Sequence, residues 1–180
     1  MSTIIVGVSG SAACFKAVSV CSSLVQRGHL VQPVLTKAAT KLVAPLQFSC
    51  ISGNQAVWDE WEPQDPAGMD HIALARSADA LVIVPASADR IGLLANGLAP
   101  DLLGSLALAF EQDKPRTFAP AMNPEMWRHP ALQRNVAQLE ADGWRMIGPV
   151  EGPTACGEEG EGRMVEAEEI VEAVIQALAN

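Results

Sequence analysis

The feature that most constrains the fold is a regular alternation of short apolar runs with longer segments of helical periodicity. The apolar runs predict strands over residues 3–8, 30–35, 80–84, 116–119 and 144–147. The intervening segments repeat apolar residues three and four positions apart, and one of them predicts a short helix over residues 38–46. Parallel strands need such crossover connections. The sequence therefore predicts an α/β fold with a doubly wound parallel sheet.

One sheet with its helices accounts for the whole chain. The 180 residues are 49% hydrophobic and 18% charged, with a mean hydropathy of +0.17, and no repeat or linker divides them. A chain of this size can bury a sizeable core, so we predict a single domain over residues 1–180. The apolar runs are too short to span a bilayer and the N-terminus lacks a signal-peptide pattern. We expect no membrane partner and a cytoplasmic location.

Charge and cysteine spacing limit the ligands. Twelve Lys plus Arg against 21 Asp plus Glu give a net charge of −9, so nucleic acid is not an expected partner. Cys14, Cys21, Cys50 and Cys156 show neither a CxxC pair nor a spacing with His that would hold a metal. We therefore predict no metal site. Cys156 alone lies in an acidic, glycine-rich segment, where a cysteine has no core to fill.

Small and polar residues follow four of the predicted strands, at Ser9-Gly10-Ser11, Thr36, Ser87-Ala88 and Ala121-Met122-Asn123. Ligands bind beyond the carboxyl ends of such strands, so these residues predict one pocket. Ser9-Gly10-Ser11 opens a helix, whose N–H groups can hold a phosphate. Without the GxGxxG or GxxxxGK[ST] spacing, a dinucleotide or P-loop site is disfavoured. A serine cap at an ordinary turn has the same pattern.

Three further positions each allow a functional and a structural interpretation. His71 follows the long loop over residues 52–69 and could accept a proton there, or merely begin a helix. Asn123 could donate to a carboxylate, or cap a helix. Residues 154–164 are predicted to be irregular and mobile, forming either a flap over a substrate or a solvated acidic loop. Composition and spacing leave these alternatives open.

Four segments taken together resemble the homo-oligomeric flavin-containing cysteine decarboxylases. They are VSGSAACFK, HIALARSADALVIVPASADRIGLLANGLAPDLL, PAMNPEMW and ACGEEGEGRM, and the resemblance runs from about residue 4 to residue 165. The last segment is similar to that of the branch acting on phosphopantothenoylcysteine in coenzyme A biosynthesis. The resemblance implies a flavodoxin-like (Rossmann-type) fold, FMN as cofactor, a small-molecule acyl-cysteine substrate and a homo-oligomer of trimers. Trp58 and Trp61 in loop 52–69 are suited to an interface.

The same resemblance implies roles for individual residues. His71 is expected to be the active-site base and Cys156 the proton donor. The residues expected to bind substrate are Asn123, which would hold its carboxylate, Met126, Ala155, Arg163 and Met164. The residues expected to bind FMN are Ser9, Gly10, Ser11, Ala12, Thr36, Ser87, Ala88, Asp89, Arg90 and Ala121.

The implied reaction converts the cysteine moiety of 4'-phosphopantothenoylcysteine to give 4'-phosphopantetheine. Flavin oxidises the cysteine to a thioaldehyde, carbon dioxide leaves to give an enethiol, and hydride returns with a proton from Cys156. The alternative is a peptidyl-cysteine decarboxylase, which acts on the C-terminal cysteine of a peptide and stops at the enethiol. Flavin prenyltransferases share the fold but do not resemble the last two segments, and phosphatase-inhibitory relatives usually carry long acidic extensions. A plain binding module has no need of His71, Asn123 and Cys156 together.

Overall fold

A computed structural model describes residues 1–179, and a five-stranded parallel sheet forms its centre. The strands are β1 (Thr3–Val8), β2 (Leu30–Leu35), β3 (Ala80–Ala86), β4 (Arg116–Pro120) and β5 (Arg145–Met146). Their order is β2-β1-β3-β4-β5, and every neighbouring pair is parallel. The predicted doubly wound parallel sheet is confirmed. Its strand order reverses between β1 and β3, which is where such sheets bind ligands.

Helices cover both faces of this sheet. They are α1 (Cys14–Gln26), α2 (Pro45–Ser52), α3 (Asp70–Ser77), α4 (Ala88–Ala95), α5 (Leu102–Ala109), α6 (Pro124–Arg128), α7 (Pro130–Ala141) and α8 (Ala167–Leu178). Val6 and Val82 pack against α1, α2 and α8, whereas Ile5 and Leu81 pack on the opposite face against α3, α4, α5 and α7. Successive side chains of a strand point to opposite faces. Burial on both faces explains why these strands are continuous apolar runs.

Strand β2 tolerates Pro33 because it lies at the edge of the sheet. The outer side of β2 meets only a short segment, in which Val57 donates to the carbonyl of Pro33 at 3.1 Å. The helix predicted over residues 38–46 is wrong. A 3₁₀ turn spans Ala39–Lys41, and α2 begins afresh at Pro45. A residue before proline is driven out of the helical region, and Ala44 is extended there, with ψ 126°.

The segment predicted to be irregular instead forms much of an antiparallel hairpin, β6 (Val150–Pro153) with β7 (Glu159–Arg163). Gly162 has φ 138°, and a Cβ on it would lie 2.6 Å from the carbonyl oxygen of Met122. That glycine therefore permits close approach instead of breaking the strand. Met122 donates to the Gly162 carbonyl at 2.9 Å, which docks the hairpin beside the end of β4. We call residues 150–163 the flap hairpin.

Across residues 1–179, no helix is both long and apolar enough to cross a bilayer. Over the same residues, no group of three or more His, Cys, Asp or Glu side chains is arranged to hold a metal ion.

Candidate active site

A cavity of about 660 Å³ lies beyond the carboxyl ends of β1, β3 and β4, and the flap hairpin forms one of its walls. This volume is typical of small-molecule and cofactor sites. The predicted site residues that line it are Gly10, Ser11, Ala12, Ser87, Ala88, Ala121, Asn123, Met126, Ala155, Cys156, Arg163 and Met164. Two of the predicted groups, the phosphate turn and the flap, therefore face the same space.

The turn between β1 and α1 fits a phosphate. Helix α1 has no side-chain cap at its N-terminus, and within residues 1–179 the amide groups of Gly10, Ser11 and Ala12 donate no hydrogen bond. A Cβ on Gly10 would lie 2.7 Å from the Cβ of Ala38, so only glycine fits this close turn. Unpaired N–H groups at the positive end of a helix dipole attract an anion. The turn thus fits a phosphate group.

Ser9 and Thr36 support this turn from behind the cavity wall. The Ser9 hydroxyl donates to the Pro85 carbonyl at 2.7 Å and accepts from the Ser87 amide at 2.9 Å, which ties the loop after β1 to the loop after β3. The Thr36 hydroxyl accepts from the Ala39 amide at 3.1 Å. Both residues are buried. They shape the predicted cofactor site without lining it.

Asp89 and Arg90 are not brought to the cavity, contrary to the expectation that they line the flavin. The Arg90 side chain is only 2% exposed and forms a bidentate ion pair with Asp101, in which Nη1 lies 3.0 Å from Oδ1. Asp101 also caps α5 by accepting from the Gly104 amide at 2.9 Å. Asp89 is exposed in the first turn of α4. Arg90 thus links α4 to α5 in the structure of one chain.

Asn123 presents its amide nitrogen to the flap hairpin. Its Oδ1 accepts from the amides of Glu125 at 2.7 Å and Met126 at 3.3 Å, because Asn123 caps α6. These two bonds fix which end of the side chain faces the cavity. The Nδ2 atom donates to Glu158 Oε2 at 2.7 Å and to Cys156 Sγ at 3.3 Å. The arrangement supplies an uncharged donor for a carboxylate.

The Cys156 thiol lies in the same cluster, exposed at the turn of the flap hairpin. Its Sγ is 3.0 Å from the Thr154 hydroxyl. The hydrogen bond with Thr154 is the main cause that lowers the pKa of the Cys156 thiol, followed by those with Asn123 and with the Glu158 backbone. The Glu158 charge opposes them. A thiol with a lowered pKa is the better proton donor, provided that it is still protonated at the working pH.

Two basic side chains line the cavity although the chain is acidic overall. Lys16 Nζ lies 3.0 Å from Glu166 Oε1 and donates to the Met164 carbonyl at 3.2 Å. Arg163 pairs with the same carboxylate at 2.6 Å. Lys16 and then Arg163 lower the pKa of Glu166. Sequence reasoning missed Lys16, although it lies in the first turn of α1, close after the phosphate turn.

His71 is a further predicted site residue that does not line the cavity of one chain. It is the second residue of α3, and within residues 1–179 no histidine lines the cavity. The preceding residue, Asp70, is buried and accepts from the amides of Gln64 at 2.9 Å and Asp65 at 2.6 Å. These bonds anchor the end of loop 52–69 to α3 and hold His71 at its first turn.

The strand order and the cavity at the switch point define a flavodoxin-like α/β protein. The family model described as Flavoprotein matches residues 1–179, and the chain belongs to this family. A flavin is therefore the class of cofactor, as the sequence predicted.

Two curated relatives and one solved structure are similar over most of this chain. It is 35% identical over 175 residues to the probable phosphopantothenoylcysteine decarboxylase of Streptococcus mutans, covering 97% of this chain and 98% of that protein. It is 43% identical over 164 residues to the coenzyme A biosynthesis bifunctional protein CoaBC of Bacillus subtilis, covering 91% of this chain but 40% of that protein. The chain thus spans about two fifths of the length of such bifunctional relatives.

The solved structure is a mutant PPC decarboxylase complexed with pantothenoylaminoethenethiol. It has a TM-score of 0.89 and 31% identity, with 99% of both chains covered. These matches confirm the resemblance to the flavin-containing cysteine decarboxylases that the sequence predicted.

Proposed function

We propose that this chain decarboxylates the cysteine moiety of 4'-phosphopantothenoylcysteine to give 4'-phosphopantetheine in coenzyme A biosynthesis. The observation that carries the proposal is the pairing of the Asn123 amide with the Cys156 thiol, 3.3 Å apart at one cavity. Such a reaction needs a group that holds the substrate carboxylate and a group that returns a proton after carbon dioxide has left. The similarity to named phosphopantothenoylcysteine decarboxylases supports this choice of substrate.

FMN is the flavin that the site fits best. The turn over Gly10, Ser11 and Ala12 offers one phosphate site, and the sequence has no dinucleotide fingerprint. When bound, FMN supplies an acceptor and donor of hydride, which makes the cysteine moiety able to lose its carboxylate. We expect the purified protein to be yellow and to release FMN and not FAD on denaturation. A colourless protein that FMN does not reconstitute would contradict this assignment.

The chain's own residues bind, orient and protonate the substrate. Asn123 Nδ2 holds the α-carboxylate in the position of Glu158 Oε2, to which it donates at 2.7 Å. Two backbone amides hold Asn123 Oδ1, so the amide cannot turn over without losing both bonds. Ala155, Met164 and Met126 provide apolar wall around the reacting end. Cys156 then donates the proton that completes the product.

We further propose that the active site is completed between copies of the chain in an oligomer built from trimers. The base assigned to His71 is missing from the cavity of one chain, so a neighbouring copy has to supply it. Trp61, which is 81% exposed in loop 52–69, provides apolar surface for such contacts. Light scattering at micromolar concentration should give a multiple of the 19.0 kDa chain. A monomer would contradict the assembly.

Mixing two variants that each fail to form phosphopantetheine tests whether sites are shared. The variants His71→Asn and Cys156→Ser each spoil every site when pure. If His71 and Cys156 of one site come from different chains, mixed oligomers contain some sites with both native residues, and phosphopantetheine formation returns. Mixtures made by unfolding and refolding each variant separately provide the control. Absence of any recovery in verified mixed oligomers would place both residues in one chain's site.

The substrate assignment has a direct test by mass spectrometry of the products. The purified protein is incubated separately with phosphopantothenoylcysteine and with a peptide that ends in cysteine, alongside FMN without protein. We expect loss of carbon dioxide from the first substrate, with no net change in its oxidation state. Conversion of the peptide alone, ending at the enethiol, would favour the peptidyl-cysteine decarboxylase.

We also propose that the enzyme acts in the cytoplasm. The four free cysteines fit the reducing conditions of that compartment.

A further inference from the structure

We propose that Thr154 is a positioning residue for the proton donor, whose hydroxyl hydrogen alternates between the flap backbone and the Cys156 sulfur. The inference rests on the proposed role of Cys156 and adds a residue to it. Thr154 Oγ1 lies 3.0 Å from Cys156 Sγ and 2.9 Å from the Glu158 carbonyl oxygen. Thr154 is on β6's side of the hairpin turn and Glu158 on β7's side, so the hydroxyl spans the turn that carries the thiol.

A count of hydrogens fixes the direction of these bonds while the thiol is protonated. A hydroxyl has one hydrogen to donate and two lone pairs to accept with. The Glu158 carbonyl can only accept, so the Thr154 hydroxyl donates to it. The 3.0 Å contact with sulfur is then a bond that the Cys156 S–H donates to Thr154 Oγ1. The proton of the donor thiol therefore has a defined orientation in the resting flap.

The same groups can stabilise the thiolate without any movement of their heavy atoms. Once Cys156 has lost its proton, rotation of the Thr154 hydroxyl hydrogen about the Cβ–Oγ1 bond turns the 3.0 Å contact into an O–H donor to Sγ. The Glu158 carbonyl is not left unpaired, because the Thr154 amide also donates to it at 2.9 Å. Asn123 Nδ2, 3.3 Å away, gives the sulfur a second donor. The thiolate is thus paired as soon as it forms.

The proton step balances with these groups. The S–H bond of Cys156 breaks, the proton forms a C–H bond on the enethiol, and the electron pair stays on Sγ. The accompanying hydride is the one that the flavin of the proposed reaction returns, and solvent reprotonates the exposed thiolate afterwards. The lowered pKa of Cys156 agrees with this arrangement, since its largest cause is the Thr154 bond. The Glu158 charge raises the pKa of Cys156 and so opposes this effect. The charged side chains that line the cavity are Lys16, Arg163 and Glu166.

The test replaces Thr154 with valine, which keeps the branched shape and removes the hydroxyl, and with serine, which restores it. Alkylation of Cys156 by iodoacetamide is followed across pH in the flavin-loaded protein without substrate, because only the thiolate reacts. We expect Thr154→Val to move the midpoint of alkylation to higher pH and Thr154→Ser to return it. The exposed Cys50, which does not line the cavity, is the internal control in each sample. Thr40→Val is a matched substitution outside the cavity and should move neither midpoint.

A second readout follows the products. With phosphopantothenoylcysteine, Thr154→Val should raise the share of enethiol among the decarboxylated products about two- to tenfold, the worth of one hydrogen bond, while Thr154→Ser should lower it again. An unchanged alkylation midpoint in Thr154→Val, or an equal shift in both variants, would overturn the inference. If the midpoint shifts as expected but the native protein forms no decarboxylated product, the hydroxyl–thiol link stands and the proposed function fails.

Discussion

Asn123 donates a 2.7 Å hydrogen bond from Nδ2 to the Glu158 carboxylate, so the flap hairpin places its own carboxylate on the amide that we assign to the substrate. The Nδ2 end of the Asn123 side chain faces the flap hairpin, because two backbone amides of α6 donate to its Oδ1. Substrate therefore has to displace Glu158 before its carboxylate can bind. This relationship makes Glu158 a competitor within the chain, and it links occupation of the site to movement of the hairpin turn.

Replacing Glu158 with alanine should therefore favour substrate binding. We expect the KM for phosphopantothenoylcysteine to fall by about two- to tenfold, because one competing hydrogen bond is removed. The Glu158 charge raises the pKa of the Cys156 thiol, so its loss should also move the alkylation of Cys156 to lower pH. Glu159→Ala removes a neighbouring exposed charge that does not contact Asn123 and is the matched control. An unchanged KM and an unchanged alkylation profile would refute the assignment.

Replacing Cys156 with serine should separate the two halves of the reaction. In the proposed reaction, oxidation and loss of carbon dioxide do not use the Cys156 proton, whereas the return step does, and a hydroxyl is a far weaker acid than a thiol. Reduced flavin and an enethiol product should accumulate, which absorbance and mass spectrometry detect. Cys50→Ser should behave as the native protein. Normal phosphopantetheine formation by Cys156→Ser would make Cys156 only a flap residue and would favour the peptidyl-cysteine decarboxylase.

Replacing His71 with asparagine should stop the oxidative half. Asparagine has a similar shape but cannot act as a base at neutral pH, so turnover should fall on the order of 10²-fold or more. Flavin should remain bound, because the substitution leaves the phosphate turn over Gly10, Ser11 and Ala12 unchanged. His129→Asn is a suitable comparison, since His129 caps α7. Retained turnover in His71→Asn would return this residue to a structural role at the start of α3.

Replacing Asp101 with alanine should destabilise the fold strongly. Arg90, 2% exposed, would be left as a buried charge without its partner, and α5 would lose its cap. We expect a loss of about 3 kcal/mol or more in the free energy of unfolding, measured by urea denaturation at a fixed protein concentration. Asp89→Ala removes an exposed carboxylate nearby and should have little effect. Similar midpoints for the two variants would show that the ion pair contributes little.

The sheet could be predicted because the local sequence pattern of each strand follows from its place in the sheet. Strands β1 and β3 are buried on both faces, so they are apolar without interruption, and Pro33 marks the edge position of β2. Local pattern was misleading where one residue resets the backbone. Pro45 prevents one helix from running over residues 38–46, and α2 begins at Pro45 instead. The glycines of residues 154–164 led to the prediction of an irregular loop. Gly162 instead lies in a regular hairpin, where the absence of a Cβ allows the close contact with Met122.

For the site, the sequence by itself predicted the phosphate turn from the small and polar residues after β1, and it predicted Asn123 and Cys156 from segments that resemble the flavin-containing cysteine decarboxylases. Only the tertiary structure decided the contacts. Cys156 and Glu158 reach Asn123, 33 and 35 residues away along the chain, because the flap hairpin docks on the end of β4. Thr154 reaches Cys156 because the chain turns there. Arg90 pairs with Asp101 and does not line the cavity, because α4 and α5 lie next to each other. Side-chain partners depend on which elements pack against each other. The local periodicity that predicts the elements carries no information on this packing.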